Sequence, residues 1–188
     1  MPEKKRELLK LLQEKSFRYS PERLFKLASG RESPYYVDAR PVTHSAHGLV
    51  LMGEIIYDLV KDLGVQAIGG LTLGADPIAH AVALTSYLQG NPINAFTVRK
   101  EAKGHGTGGL VVGDVQPGER VVIVEDVITT GGSTLKAVAA ARDFGLEVVQ
   151  VLVLVDRQEG GREAIAREVP RVEAIFRLSD LQDPGDTP

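Results

Sequence analysis

The sequence predicts an α/β fold, a central mostly parallel sheet flanked by helices, with a small additional layer at the N-terminus. Two apolar runs, over 121–124 and, broken only by Gln150, over 148–155, have the signature of strands buried on both faces. From Ser45 onward, helix-period segments alternate with short extended ones, which is how a parallel sheet with helices on both sides is written into a chain. The first 40 residues lack that alternation. The predicted organisation is therefore residues 1–40 as an N-terminal segment and 41–188 as the α/β core, within one compact domain overall, a size that allows a substantial core.

Each element follows from local pattern. Met1 to Lys15 is charged and amphipathic, with Leu8, Leu9, Leu11 and Leu12 in its apolar part, and predicts a short helix. Phe25-Lys26-Leu27-Ala28, a Ser29-Gly30 turn and Tyr35-Tyr36-Val37 predict two extended runs in a small antiparallel unit. Leu49, Val50, Met52, Gly53, Ile56, Leu59 and Val60 recur at helical spacing, and Gly64 supplies a stop. A short strand is predicted over 65–68, a helix of small residues over 77–88 and a strand over 93–98. After the apolar run at 121–124 come a helix over 134–144 and the strand over 148–155. Ile165 and Phe176 belong to a final helix and strand that finish the sheet. There is no internal repeat. Gly104 to Gly113 is glycine-rich, and Asp183 to Pro188 reads as a frayed tail.

Composition narrows function. Hydrophobic residues make up 43% of the chain and charged residues 25%, ordinary for a folded soluble protein. A net charge of −3 gives no basic field, so neither nucleic acid nor an acidic membrane surface is an expected partner. The chain has no cysteine, which excludes disulfides, a thiol nucleophile and a thiolate metal site. No apolar run approaches the ~20 residues of a membrane span, and the N-terminus lacks the apolar stretch of a secretory signal, so a cytoplasmic location is the default expectation.

The most informative segment is Val121 to Thr134, VVIVEDVITTGGST. A buried strand ends in Glu125 and Asp126, and a turn rich in glycine and hydroxyls leads into a helix. In a parallel sheet this turn lies at the carboxyl edge, where open α/β folds bind ligands. Backbone N–H groups and hydroxyls of Thr129, Thr130, Gly131, Gly132, Ser133 and Thr134 can surround a phosphate at the helix N-terminus. Two carboxylates beside a bare anion would repel it. They suit a ligand that also offers hydroxyl donors, as a ribose phosphate does. The competing reading is a capped strand-to-helix turn with an exposed acidic pair. No Walker-type G-x-x-x-x-G-K-[ST] loop is present.

This segment resembles the binding motif for phosphoribosyl pyrophosphate (PRPP) of the type I phosphoribosyltransferases. The resemblance implies that fold, with residues 1–40 as a small N-terminal hood and 41–188 as the PRPP-binding core. It implies that Glu125 and Asp126 hold the ribose hydroxyls and that Thr129 to Ser133 hold the 5-phosphate, with Val127 and Ile128 completing the PRPP segment.

Arg99 to Gly109, RKEAKGHGTGG, places Arg99, Lys100, Lys103 and His105 within seven positions, followed by hinge-forming glycines. Cations beside a pyrophosphate leaving group stabilise charge that grows as the glycosidic bond breaks. A closing lid excludes water from a cation-like sugar. A solvated basic loop is the alternative for such a stretch in isolation. The stretch is very similar to the catalytic loop of orotate phosphoribosyltransferases, R-K-E-x-K-x-H-G. By that resemblance Arg99, Lys103 and His105 are catalytic and contact pyrophosphate over the neighbouring subunit's site, and Lys100 serves PRPP within its own subunit. His105 has two open roles toward the leaving group, proton donor or hydrogen-bond donor. A homodimer with shared active sites follows, with Mg²⁺ as cofactor, held mainly by PRPP and not by a protein metal site.

Asp156-Arg157-Gln158-Glu159 follows the last apolar strand. An arginine there can grip a carboxylate in bidentate fashion, or pair at the surface with Asp156 or Glu159. The match to the family's D-R-Q-E segment implies that Arg157 binds orotate's carboxylate and that Thr129 also touches the ring. Leu27 to Arg31 and Ser33 to Tyr36 resemble the family's hood, in which Tyr35 and Tyr36 suit either core filling or ring contact. Ala28 stands where many members have lysine. Gly70 to Ala79 aligns with the pyrophosphate loop, with Leu73 and Gly74 in place of a Tyr-Lys pair, leaving backbone amides around Thr72 to Ala75 to bind pyrophosphate. A purine phosphoribosyltransferase and a PRPP-sensing regulator would share the phosphate turn. The first lacks need of Arg157, and the second lacks need of a cationic lid.

Overall fold

The structure, a computed structural model, describes residues 1–22, 24–26, 30, 32–101 and 109–182. The chain begins with α1 (Glu3–Lys15), β1 (Phe17–Tyr19), β2 (Phe25–Lys26), β3 (Glu32–Ser33) and β4 (Tyr35–Val37). It continues through α2 (Arg40–Thr43), α3 (Ala46–Val60), β5 (Ala67–Leu71), α4 (Ala75–Leu88), β6 (Asn94–Val98) and β7 (Val111–Gly113). The last third holds β8 (Arg120–Ile128), α5 (Gly132–Asp143), β9 (Glu147–Asp156), α6 (Gly161–Ala166), β10 (Val172–Arg177) and α7 (Leu178–Gln182).

The main sheet has the order β10-β9-β8-β5-β6-β7. Every neighbouring pair is parallel except β6 with β7, so the predicted mostly parallel sheet is what forms. Side chains alternate across a strand, and β8 divides its apolar run accordingly. Val122 and Val124 join Met52, Ile56 and Ile78 on one face, while Val121 and Ile123 join Ala137, Val138 and Ile165 on the other. Leu8 and Leu12 of α1 are fully buried in the first of these clusters, each removing roughly 1.5–3 kcal/mol worth of apolar surface from water. α3 is capped by Ser45, the residue at which the helix-strand alternation begins. The Ser45 hydroxyl accepts from the Gly48 amide at 3.0 Å.

Three expectations shift. Tyr35–Val37 pairs with β1, not with the run at 25–28; Phe25–Lys26 pairs instead with Glu32–Ser33. Pro34 explains the split, because it has no N–H to continue a ladder and divides the 32–37 stretch into two short strands with different partners. Next, β5 runs to Leu71 and not over 65–68. Gly69 and Gly70 interrupt the apolar pattern, yet both sit in the strand, where the Phe96 and Val124 carbonyls close too tightly for a Cβ. Finally, β8 does not end at the acidic pair. Its ladder with β9 continues through Glu125, Val127 and Ile128, opposite Val153, Val155 and Asp156. The glycine-rich stretch ends in β7, a short antiparallel edge strand that the composition hid. The expected tail at 183–188 lies outside the described residues.

Candidate active site

β5 and β8 are parallel neighbours, so their carboxyl ends lie side by side, each followed by a turn and a helix. Glu125 is 5% exposed, and its Oε2 accepts from the Ser133 hydroxyl at 2.9 Å and the Thr134 hydroxyl at 3.0 Å. These bonds tie the acidic strand end to the first turn of α5. Gly131 precedes that helix at φ +82°, and a Cβ there would meet the Gly161 carbonyl at 2.9 Å and Ile165 at 3.0 Å. Only glycine suits this position, and the turn is held against the start of α6. Thr130, Gly132 and Ser133 stay exposed at the surface of the turn, while Thr129 is half-buried.

Burial pushes the Glu125 carboxyl up to about 7, and the neighbouring Asp126 charge adds to it against the two hydroxyl bonds. Burial likewise raises Asp126, opposed by the Val127 amide, which donates to its Oδ1 at 2.8 Å. Asp126 faces the β5–α4 turn: a Cβ on Gly74 would stand 2.5 Å from its Oδ1.

An open cleft of about 740 Å³ is lined by Arg99 and Lys100 together with Thr129 to Ser133. The two motifs separated by some thirty positions in the sequence thus meet in space. The Arg99 amide donates to the Leu110 carbonyl at 2.8 Å, closing the base of the basic loop. Neither carboxylate lines this cleft: Glu125 sits behind Ser133, and Asp126 turns toward Gly74. Lys103 and His105 lie outside the described residues, as does Ala28.

Arg157 is carried by β9's end, where its amide donates to the Ile128 carbonyl at 3.1 Å. Its side chain is 3% exposed, not a surface group. Nε donates to Glu159 Oε1 at 2.9 Å and Nη2 to the Tyr35 carbonyl of the hood at 3.1 Å. Burial of a guanidinium demands partners on its remaining N–H groups as well. The Tyr35 ring stacks on Phe17 and Tyr19, at 6.0 and 5.0 Å between centroids, and Tyr36 stacks on Phe25 at 5.4 Å. Both rings are engaged within the hood.

Sequence reasoning missed three groups. Thr134 was placed around the phosphate without its bond to Glu125, whereas the Arg157–Glu159 pairing was foreseen as a surface contact and is found buried. Asp76, in the first turn of α4, accepts from the Thr72 hydroxyl at 2.7 Å and the Thr97 hydroxyl at 2.8 Å. An acid just after a Gly-Ala turn was the available signal for Asp76, and nothing marked Thr97. Among the described residues no group of three or more His, Cys, Asp or Glu side chains stands ready to hold a metal ion. Nor, among them, is any helix long and apolar enough to cross a membrane.

Comparison with known proteins agrees with this fold. The model of the phosphoribosyl transferase domain family matches residues 50–176. An orotate phosphoribosyltransferase of Aquifex aeolicus (strain VF5) is 50% identical over 174 residues, covering 93% of this chain and 95% of that protein. The chain belongs to the orotate phosphoribosyltransferases. The crystal structure of the Mycobacterium tuberculosis H37Rv orotate phosphoribosyltransferase with Fe(III) dicitrate superposes with a TM-score of 0.81 at 42% identity, over 95% of this chain and 98% of that one. The same enzyme in complex with PRPP gives a TM-score of 0.77 at 36% identity, over 96% and 93%. As a member of this family the chain is a pentosyltransferase of the type I fold. Where some orotate phosphoribosyltransferases carry Tyr-Lys, its Leu73 is 56% exposed, and its Gly74 leaves no room for a side chain unless Asp126 moves.

Proposed function

We propose that this chain transfers ribose 5-phosphate from PRPP to N1 of orotate, giving orotidine 5′-monophosphate and pyrophosphate in the pyrimidine route to UMP. The observation that carries the reading is the junction of the Glu125–Asp126 strand end with the Thr129–Ser133 turn, which shares a cleft with Arg99 and Lys100. Ribose hydroxyls donate to the carboxylates, and the turn's amides take the 5-phosphate. The bond from the anomeric carbon to pyrophosphate breaks with its electron pair leaving on oxygen. N1 of orotate bonds to that carbon as N1 loses its proton. Arg99, Lys103 and His105 answer the charge growing on pyrophosphate, with Lys100 on PRPP of the same subunit. Mg²⁺, held mainly by PRPP, would neutralise part of that charge. The lid's cations reach the neighbouring subunit's site in a homodimer, and residues 1–40 act as the hood over the acceptor. Catalysis is by positioning and charge, without a covalent enzyme intermediate.

Orotate is favoured over a purine by Arg157. A guanidinium buried beneath the hood, anchored by Glu159 and the Tyr35 carbonyl, suits a carboxylate-bearing acceptor with Thr129 beside it. The test is the loss of orotate absorbance on mixing protein, PRPP and Mg²⁺. Turnover with orotate and none with adenine or hypoxanthine is expected, and Arg157→Ala should reduce kcat/KM for orotate by about a hundredfold or more. Consumption of PRPP with a purine but not with orotate would overturn the assignment.

A further inference from the structure

Asp76 sits in the first turn of α4, a 14-residue helix. A helix start presents unpaired N–H groups and a positive dipole end, which favour an anionic ligand. An aspartate in that place competes with such a ligand unless its carboxylate is engaged elsewhere, and it is. Oδ2 accepts from the Thr72 hydroxyl at 2.7 Å and Oδ1 from the Thr97 hydroxyl at 2.8 Å. Thr72 belongs to the turn after β5. Thr97 lies on β6, one strand over and two residues before Arg99. One carboxylate therefore fastens the turn to the strand that launches the basic loop.

The Thr72 amide donates to the Val98 carbonyl at 2.9 Å, and its hydroxyl proton goes to Asp76. Thr72 thus has no proton left for a phosphate. The groups that remain to face a ligand are the backbone amides of Leu73 to Ala75, with Gly74 pressed against the Asp126 carboxylate.

We infer that Asp76 is a positioning residue for the pyrophosphate end of PRPP: as a double acceptor for Thr72 and Thr97 it aims the 73–75 amides into the site. The inference rests on the PRPP reading above, and concerns the turn only, not the acceptor. Asp76 acts through the geometry of two hydrogen bonds, and its charge contributes nothing favourable to the ligand.

The test is calorimetric titration of Mg²⁺-pyrophosphate, and separately of orotate, into the full chain. Asp76→Ala should weaken pyrophosphate by about tenfold or more, with orotate affinity changed by less than about twofold. Thr97→Val, which keeps the volume and deletes one bond, should weaken pyrophosphate by about threefold and carries the test if Asp76→Ala does not fold. Asp76→Asn, which drops the charge but keeps an acceptor oxygen, should fall between Asp76→Ala and wild type. Steady-state kinetics should show the loss in KM for PRPP with KM for orotate unmoved, a split that a merely structural role would not give. Unchanged pyrophosphate affinity in both Asp76→Ala and Thr97→Val overturns the inference. So does tighter binding in Asp76→Ala and Asp76→Asn alike, the mark of a charge that merely repels. Wild-type protein that binds pyrophosphate but never consumes orotate would sink the acceptor assignment and leave this comparison standing.

Discussion

The turn after β8 and the turn after β5 lie side by side at the carboxyl edge of the sheet, yet they are made differently. The β8 turn carries its chemistry in side chains and one left-handed glycine: Ser133 and Thr134 donate to Glu125, Asp126 accepts from the Val127 amide, and Gly131 locks the loop against α6. The β5 turn offers a ligand only backbone, held in place by acceptors and donors that point away from it, Asp76 with Thr72 and Thr97. Adjacent sites can thus share a ligand while one recognises through residue type and the other through the path of the chain. The first kind is visible in a sequence. The second is not.

If that contrast is right, glycine substitutions in the two turns should fail in different ways. Gly131→Ala places a Cβ at φ +82° against the Gly161 carbonyl, which is backbone and cannot swing aside. Strain of roughly 1–3 kcal/mol should both lower the melting temperature and cut PRPP affinity by on the order of a hundredfold, measured by thermal unfolding and titration. Gly74→Ala collides only with the far end of the Asp126 side chain. The melting temperature should hardly move, while kcat/KM for PRPP falls about tenfold because the carboxylate is displaced. Equal thermal losses in the two variants would erase the distinction.

A smaller effect comes from the proton on Glu125. Its folded carboxyl stands at about 7, above its ordinary 4.5, so the folded chain binds a proton more readily than the unfolded one between those values. That contribution to stability is fully present below pH 4.5 and is lost as pH rises to about 7. Glu125→Gln removes the dependence. It should be more stable than wild type at pH 8 by on the order of 1 kcal/mol, since the amide keeps only part of the two hydroxyl bonds, and should show no gain at pH 4. Thermal unfolding at the two pH values reads this directly.

The same contrast explains what was legible beforehand. The buried strands β8 and β9 announce themselves because Val121 to Val124 has no polar residue and Val148 to Val155 has only Gln150. The strand-to-helix turn after β8 is legible because acids, glycines and hydroxyls in that order mark the end of a strand and the start of a helix. β5 was misplaced because Gly69 and Gly70 carry no apolar signal, although close approach of neighbouring strands is what requires them. The hood's strand partners were mispaired because pairing depends on Pro34 dividing the run, and a local pattern does not choose between distant partners. Arg157 was found by motif, but its burial and its bond to the Tyr35 carbonyl link positions 122 residues apart, which no spacing rule encodes. Thr97 looks like any strand threonine until the fold brings Asp76 to it.

The most direct measurement is proton release on PRPP binding near pH 6.5, taken from calorimetry in two buffers of different ionisation enthalpy. Sugar hydroxyls that donate to the Glu125–Asp126 pair favour its charged form, so wild type should release up to about one proton more than Glu125→Gln on binding PRPP. Equal release by the two proteins, with affinity also unchanged, would contradict the claim that these carboxylates receive the ribose.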